Sequence, residues 1–376
     1  MQDGILNKNY TLLFARGYLK AQSEEILSLE YRSQIENLYK EFISDSDSIS
    51  VFSSGSTGEP KELKLKKQYM LNSAHMTCSY LKIPKGASSL LCMPLKFIGA
   101  KMVVIRALSE ELELVAVNPS SHPLLGLRKA PYFAAMTPAQ VFSSLESEAE
   151  REILFNIKEL IIGGGAVNSS LKAQLMLSSN RIWSTYGMTE TISHIALRRV
   201  NIEDSSEVNS NGYVPFEGVS LQQAQDGTLV IDAPYIGVKA LKTNDVVEFN
   251  PDRSFNILGR VDNIINSGGI KIQIEKLEEL IRETVGCEFN VTSVESRKYG
   301  EVVCLLMKSN PESPQGISDE SILRQIKDKV PKYWAPKILL RTAVLPRTES
   351  GKPARAKLKA LASELYQKKD LFTKGE

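Results

Sequence analysis

The run Ser53-Ser54-Gly55-Ser56-Thr57-Gly58-Glu59-Pro60-Lys61 carries the strongest chemical signal in the chain. Glycines without a Cβ and short hydroxyl side chains let backbone N–H groups and Oγ atoms close around phosphate oxygens. Lys61 adds a positive charge just beyond. The loop is not a Walker A motif, because Gly58 is followed by Glu-Pro-Lys rather than Lys-Ser/Thr. Its place between a strand signal at 48–52 and a helical stretch at 67–80 argues for phosphate binding over a flexible linker. A second cluster is Ser184-Thr185-Tyr186-Gly187-Met188-Thr189-Glu190-Thr191. A carboxylate beside a hydroxyl, after a strand, suits Mg²⁺ shared with a nucleotide phosphate, and Tyr186 has a ring to stack on a base. Taken alone, the same residues also read as a strand-to-helix turn capped by Thr189. Gly163-Gly164-Gly165-Ala166 is a glycine turn on which a flat ligand can lie against bare backbone; no GxGxxG follows, so a Rossmann site is not supported. Gly259-Arg260-Val261-Asp262-Asn263 and Pro346-Arg347-Thr348-Glu349-Ser350-Gly351-Lys352-Pro353 each read in isolation as surface turns.

The elements that must position these residues change texture along the chain. Through the first part, short apolar runs at 87–93, 112–117, 132–135, 159–162 and 181–184 alternate with helical patterns at 138–145 and 169–176. The run 101–108 fits either state. Such alternation predicts an α/β domain with a largely parallel sheet. Upstream, residues 23–42 place Ile26, Leu29, Ile35, Leu38 and Phe42 near a helical period. After Asn209 come short β runs with turn residues, a small, mainly antiparallel module. A third texture begins near Gly259, with helices at 275–284 and 321–329, strands at 290–294 and 302–308, a Pro/Ser/Gly loop at 309–318 and a basic tail. The main boundary is expected at 259–262, dividing a large domain, 1–260, from a smaller α+β domain, 261–376.

Scarcity excludes other chemistries. Cys78, Cys92, Cys287 and Cys304 form no CxxC pair and no zinc spacing, and are expected as four buried thiols. His75, His122 and His194 are the only imidazoles, with no HExxH and no GxSxG, so a histidine-based hydrolase is not supported. Lys+Arg 46 against Asp+Glu 44 leaves +2, too balanced for a general nucleic-acid surface. No run approaches the ~20 apolar residues of a membrane span. The first residues lack a signal peptide's basic and apolar regions, so a cytoplasmic location is expected.

In their order and separations, these five segments resemble the adenylate-forming superfamily of acyl-CoA synthetases and related ligases, from about residue 51 to 358. The resemblance implies a large domain followed by a mobile C-terminal lid. It implies a two-step reaction: a carboxylate attacks the α-phosphate of ATP and releases pyrophosphate, then a thiol such as that of CoA attacks the acyl-adenylate. Residues 53–61 correspond to the phosphate loop. Gly164, Gly165, Ala166, Ser184, Tyr186 and Gly187 fall at the adenine site, and Thr189 and Glu190 at the phosphate- and Mg²⁺-binding pair. Asp245, in Thr-Asn-Asp where Thr-Gly-Asp is usual, and Arg260 match the ribose contacts. Asp262 matches the hinge, Lys352 the lysine of the adenylation step, and Gly268 and Gly269 the segment serving the thiol step. Two features depart from the pattern. Only residues 1–52 precede the phosphate loop, and Phe97 stands where many relatives carry histidine.

Within the superfamily the chain resembles the o-succinylbenzoate–CoA ligases of menaquinone synthesis. That implies an aromatic dicarboxylate whose second carboxylate must be desolvated against a cation or several donors. Lys101, interrupting the apolar run 98–105, is the expected cation, with Ser193 and His194 as donors. For Lys101 a snorkelling lysine, and for His194 a structural histidine, stand as the plainer alternatives. Another carboxylic acid, or a carrier-protein thiol in place of CoA, would use the same core machinery. Small molecules are the expected partners, and a homodimer is left open.

Overall fold

A computed structural model describes residues 27–53, 61–201, 212–296, 299–309, 318–348 and 351–373. Helix α1 (Leu29–Ile43) starts where the Ser28 hydroxyl accepts the Tyr31 N–H at 3.2 Å. Tyr31, Ile35, Leu38 and Phe42 then share one buried face, whereas Leu29 is 81 % exposed. Ile26 lies outside the described residues. The Tyr31 hydroxyl donates to the Met93 carbonyl at 2.6 Å, so this helix braces the segment that contains Phe97.

Strand β1 (Ser48–Ser53) pairs antiparallel with β2 (Lys61–Lys66), Ser53 facing Lys61. The Ser/Gly loop therefore joins two strands of a hairpin, and α2 (Lys67–Leu81) follows the second strand. The sequence hid β2 because Lys-Glu-Leu-Lys-Leu-Lys buries only Leu65. Residues 54–60, and with them Ser54, Gly55, Ser56, Thr57 and Gly58, lie outside the described residues.

The main sheet is built from β3 (Ser88–Leu91), β4 (Glu113–Ala116), β5 (Phe133–Met136), β6 (Glu159–Ile162), β7 (Arg181–Gly187), β8 (His194–Arg199) and β9 (Val214–Pro215). Their order is β4-β3-β5-β6-β7-β8-β9. The first five are parallel, β8 returns antiparallel to β7, and β9 runs antiparallel to β8. Every residue of β5 and β6 is buried, as expected of strands covered on both faces. The covering helices are α3 (Ile98–Ser109), α4 (Pro138–Glu146), α5 (Glu148–Asn156) and α6 (Ser169–Leu175). The ambiguous run 101–108 is the buried part of α3, apolar nearly all round because it is covered nearly all round. Helix α4 opens with Pro138 and a Thr137–Gln140 capping box. The chain leaves β3 for β4 on one side and crosses to β5 on the other. Open α/β sheets bind ligands at the carboxyl ends of their strands.

Next comes an antiparallel sheet of β10 (Ser220–Gln223), β11 (Thr228–Ala233), β12 (Val238–Phe249) and β13 (Phe255–Arg260), paired in that order. The remainder forms its own sheet from β14 (Ile264–Ser267), β15 (Ile270–Gln273), β16 (Phe289–Ser296), β17 (Gly300–Lys308) and β18 (Ile338–Thr342), β18 running parallel to β17. Helices α7 (Ile274–Val285) and α8 (Asp319–Lys327) cover a core around Ile272, Leu277, Leu305 and Ile326. Helix α9 (Arg355–Thr373) covers another around Cys304, Leu306, Leu358 and Ala362. The expected basic tail is thus a packed helix. The cysteine reading also needs correcting: Cys78, Cys92 and Cys304 are buried and free, but Cys287, just past the Gly286 cap of α7, is exposed. Among the described residues no helix is long and apolar enough to cross a membrane.

Candidate active site

The glycine and Thr-Glu motifs sit where parallel strands end. Strand β6 runs into Gly163, where a Cβ would meet Thr185 Oγ1 at 2.6 Å, and then into Gly164 with φ +78°. Gly164, Gly165 and Ala166 are exposed, leaving bare backbone open to a ligand. Strand β7 ends at Gly187, where any side chain would collide with the Ser193 carbonyl and the His194 backbone. A short 3₁₀ turn, Thr189–Thr191, is tied back by the Met188 N–H donating to Thr191 Oγ1 at 2.9 Å. Ile192 follows with φ +67°, a strained conformation for a β-branched residue. That kink turns Ser193 and His194 back against Gly187. Thr189 is half-buried and Glu190 exposed at the lip. Among the described residues no three His, Cys, Asp or Glu are grouped to hold a metal. One open carboxylate beside a hydroxyl fits a hard cation whose other ligands are phosphate and water oxygens.

A second group forms where β12 meets β13, because the register sets Asp245 opposite Arg260. Tyr186 Oη donates to Asp245 Oδ2 at 2.7 Å, and Arg260 Nη1 lies 3.2 Å from Asp245 Oδ1. The rest of the Arg260 fork is bidentate to Asp262, at 2.9 and 2.8 Å. The Asp262 bond, more than burial opposes it, raises the Arg260 pKa. Burial pushes the Tyr186 phenol up, and the Asp245 charge adds to it. Tyr186 is only 6 % exposed, with Phe255 edge-on at 5.2 Å and Tyr213 tilted at 6.0 Å. The ring's hydroxyl is committed to Asp245. Ser184 is likewise buried, its hydroxyl 2.8 Å from Tyr213 Oη.

Lys352 reaches the same place from the C-terminal part. It follows a tight turn in which the Thr348 N–H donates to the Lys352 carbonyl at 2.8 Å and the Lys352 N–H to Thr348 Oγ1 at 3.1 Å. The residue keeps solvent access, yet enough protein crowds its ammonium that desolvation lowers the pKa. Repulsion from Arg260 lowers it further, and Asp245 partly opposes the shift. Gly268 and Gly269 form the β14–β15 turn, with φ +60° and +85°. Gly268 N–H donates to the Tyr299 carbonyl at 2.8 Å, and no described contact ties this turn to the Asp245 group.

The structure sets a second cation on the helix that carries the one expected for the acyl site. Lys101 on α3 is half-buried; burial lowers its pKa, and its one charged influence is Glu41 of α1. Five residues on, about 140° around the helix at 100° per residue, Arg106 is 1 % exposed. Its Nη2 donates to Ser193 Oγ at 3.1 Å, its guanidinium lies 5.8 Å from the Phe133 ring centre, and its Nε has no partner. Among the described residues no carboxylate is within ion-pair distance of it. Neighbouring Cys78 is kept a neutral thiol, burial pushing its pKa up to about 12. Burial draws Arg106 down to about 10, still charged at neutral pH. Glu110 acts on it only at a distance; a buried guanidinium with no direct carboxylate partner is costly, and it stands beside the loop that follows Glu190. The apolar run 102–108 contained this signal, since Arg106 interrupts it more deeply than Lys101 does. His194 is buried, between Thr77 Oγ1 at 3.1 Å and Ser193 Oγ at 3.2 Å, and burial, then Arg106, hold it neutral. His75 lies near Glu110, and His122 pairs with the buried Glu150 at 2.6 Å.

A family model described as AMP-binding enzyme matches residues 20–230. The 2-succinylbenzoate–CoA ligase of Bacillus cereus is 24 % identical over 344 residues, 84 % of this chain and 70 % of that protein. A structure of an acyl-CoA synthetase (AMP-forming)/AMP-acid ligase II-like protein from Dyadobacter fermentans is 27 % identical with a TM-score of 0.58, covering 92 % of this chain and 96 % of that one. The o-succinylbenzoate coenzyme A synthetase of Bacillus subtilis, in complex with ATP and magnesium ion, superposes with a TM-score of 0.69 at 19 % identity over 82 % of this chain and 69 % of that one.

Proposed function

Because the chain belongs to the AMP-binding enzyme family of adenylate-forming ligases, we propose that it joins an aromatic dicarboxylate of the o-succinylbenzoate type to CoA through an acyl-adenylate. In this reading residues 53–61 hold the ATP phosphates, Gly164 to Ala166 flank the adenine, and Asp245 with Arg260 takes the ribose hydroxyls. The reacting carboxylate and the α-phosphate are both anionic, and Lys352, close to the Asp245 group, supplies the positive charge that offsets them as they meet. Glu190 with Thr189 would hold Mg²⁺, which when bound shields the phosphate charge.

The observation that carries the second carboxylate is Arg106. A carboxylate paired with this guanidinium gives a partner to the buried Nε that the described protein leaves without one. The names of the Bacillus relatives supply the aromatic diacid to try first. The test is pyrophosphate release across a panel of aromatic mono- and dicarboxylates, with and without CoA. Diacids are expected to lead, and thioester to form only with CoA. A panel led by monoacids would overturn the dicarboxylate reading and leave adenylation standing.

A further inference from the structure

One assignment of protons satisfies every hydrogen bond behind Arg106 within the protein itself. Thr77 has a single hydroxyl proton and gives it to the Ser73 carbonyl one turn back, at 3.1 Å. In this assignment its oxygen accepts from His194 Nε2, 3.1 Å away, and Nε2 carries the proton. His194 is neutral, held so by burial and by Arg106, which leaves Nδ1 bare and able only to accept. Ser193 Oγ, 3.2 Å from Nδ1, must donate to it. The same oxygen is then free to accept the Arg106 Nη2 proton at 3.1 Å. The direction runs without a break from Arg106 through Ser193 and His194 to Thr77 and the Ser73 carbonyl.

We infer that His194 is a positioning residue for the substrate's second carboxylate, acting through its tautomer rather than by contact. By taking the Ser193 proton it makes Ser193 an acceptor, which fixes one arm of the Arg106 fork and leaves Nε for the carboxylate. On this inference Ser193 and His194 serve the substrate through Arg106, in place of the direct donation expected from the sequence. Had His194 been protonated on Nδ1, Ser193 would meet an N–H on one side and a guanidinium on the other, and its own proton would need a third acceptor. The lock depends on close approach: Gly187 lets the 193–194 backbone lie against β7, and Phe216 closes edge-on to the imidazole at 5.5 Å. The inference rests on the dicarboxylate reading and is tested so that each can fail separately.

Long-range ¹H–¹⁵N spectra of the imidazole in the ligand-free protein at neutral pH read the tautomer directly, without substrate. The Nε2–H form is expected; an Nδ1–H form overturns the inference. Kinetics provide the second arm. His194→Phe and Ser193→Ala should raise KM for the diacid by about tenfold, the weight of one hydrogen bond, with KM for ATP unaltered. His194→Asn, whose Oδ1 replaces the Nδ1 acceptor, should return it to near the wild-type value although it loses the Thr77 contact. Ser193 is half-buried, so its alanine variant keeps the test open should His194→Phe fold poorly. Equal losses in the Phe and Asn variants would show that His194 acts by packing alone, against the inference. If Arg106→Met raises KM for the diacid but Ser193→Ala and His194→Phe do not, the relay is wrong and the dicarboxylate reading stands. If Arg106→Met alters no diacid's kinetics, that reading falls, whatever the tautomer.

Discussion

Arg106 and Lys101 sit on one helix within two turns of each other, and only one of them is costly to leave unpaired. Replacing one partner of a buried charge pair typically loses ~2–5 kcal/mol, on the order of a hundredfold in affinity. Arg106→Met should therefore raise KM for the diacid about a hundredfold, whereas Lys101→Met, which removes a half-exposed charge near Glu41, should change it less than about twofold by the same reasoning. Steady-state kinetics on the two variants decide it; the reverse ranking restores Lys101. The apolar pattern pointed to Lys101 and passed over Arg106, because it does not give depth. The period of an all-apolar helix does not say which polar side chain faces inward, so burial had to come from the structure. For Lys352 the sequence was more informative: its place after Ser-Gly marked it, and the structure adds proximity to Asp245 and Arg260. A lowered pKa means that Lys352 gives up its proton at a lower pH than a free lysine. The alkaline limb of pyrophosphate release should thus lie below the ordinary lysine range, and Lys352→Arg should move it upward. Lys352→Ala should abolish adenylation yet leave thioester formation from supplied acyl-adenylate, measured with the same enzyme preparation.

Elements differ in how plainly they announced themselves. Strands β5 and β6 are apolar runs covered on both faces, and α4 carries its own capping box, so both were legible. Strand β2 faces mostly solvent, α5 starts only one residue after α4 ends, and α9 is so rich in lysine that its buried Leu358 and Ala362 are masked. Helix α9 matters because its first residue anchors the turn that presents Lys352. Arg355 makes a fork with Glu278 of α7, Nη1 to Oε1 at 2.7 Å and Nη2 to Oε2 at 2.8 Å, and Glu278 also accepts from the Val291 N–H. Breaking a largely buried pair from one side typically costs about 3–5 kcal/mol. Glu278→Ala should therefore lower the urea midpoint of the C-terminal part and slow pyrophosphate release more than thioester formation from supplied acyl-adenylate. Equal slowing of the two steps would show that the fork serves the fold without serving Lys352.

At the scale of the whole molecule, Lys352 feels the charges of Arg260 and Asp245 because of the orientation in which the C-terminal part is held. Gln273, at the start of α7, donates to the Arg260 carbonyl across the boundary at 3.0 Å. Gly259 has φ +145°, and a Cβ there would run into the Gln273 side chain, so glycine allows this closure. Between the two parts lies the 3₁₀ turn Val261–Asn263, the proposed hinge. If the two half-reactions use different orientations, fixing a backbone angle in this turn should separate them. Asp262→Pro fixes φ near −65° and removes an N–H. It also removes the carboxylate that holds Arg260, so Asp262→Ala is the matched control for that loss. The proline variant should release pyrophosphate in a burst equivalent to the enzyme present and then make thioester at least about tenfold more slowly than the alanine variant. That ratio is the signature of a trapped orientation, since both variants lack the same side-chain contacts. Equal thioester rates for proline and alanine would place the moving joint elsewhere, and a loss of the burst itself would mean that residue 262 serves ribose binding through Arg260 and not the domain motion.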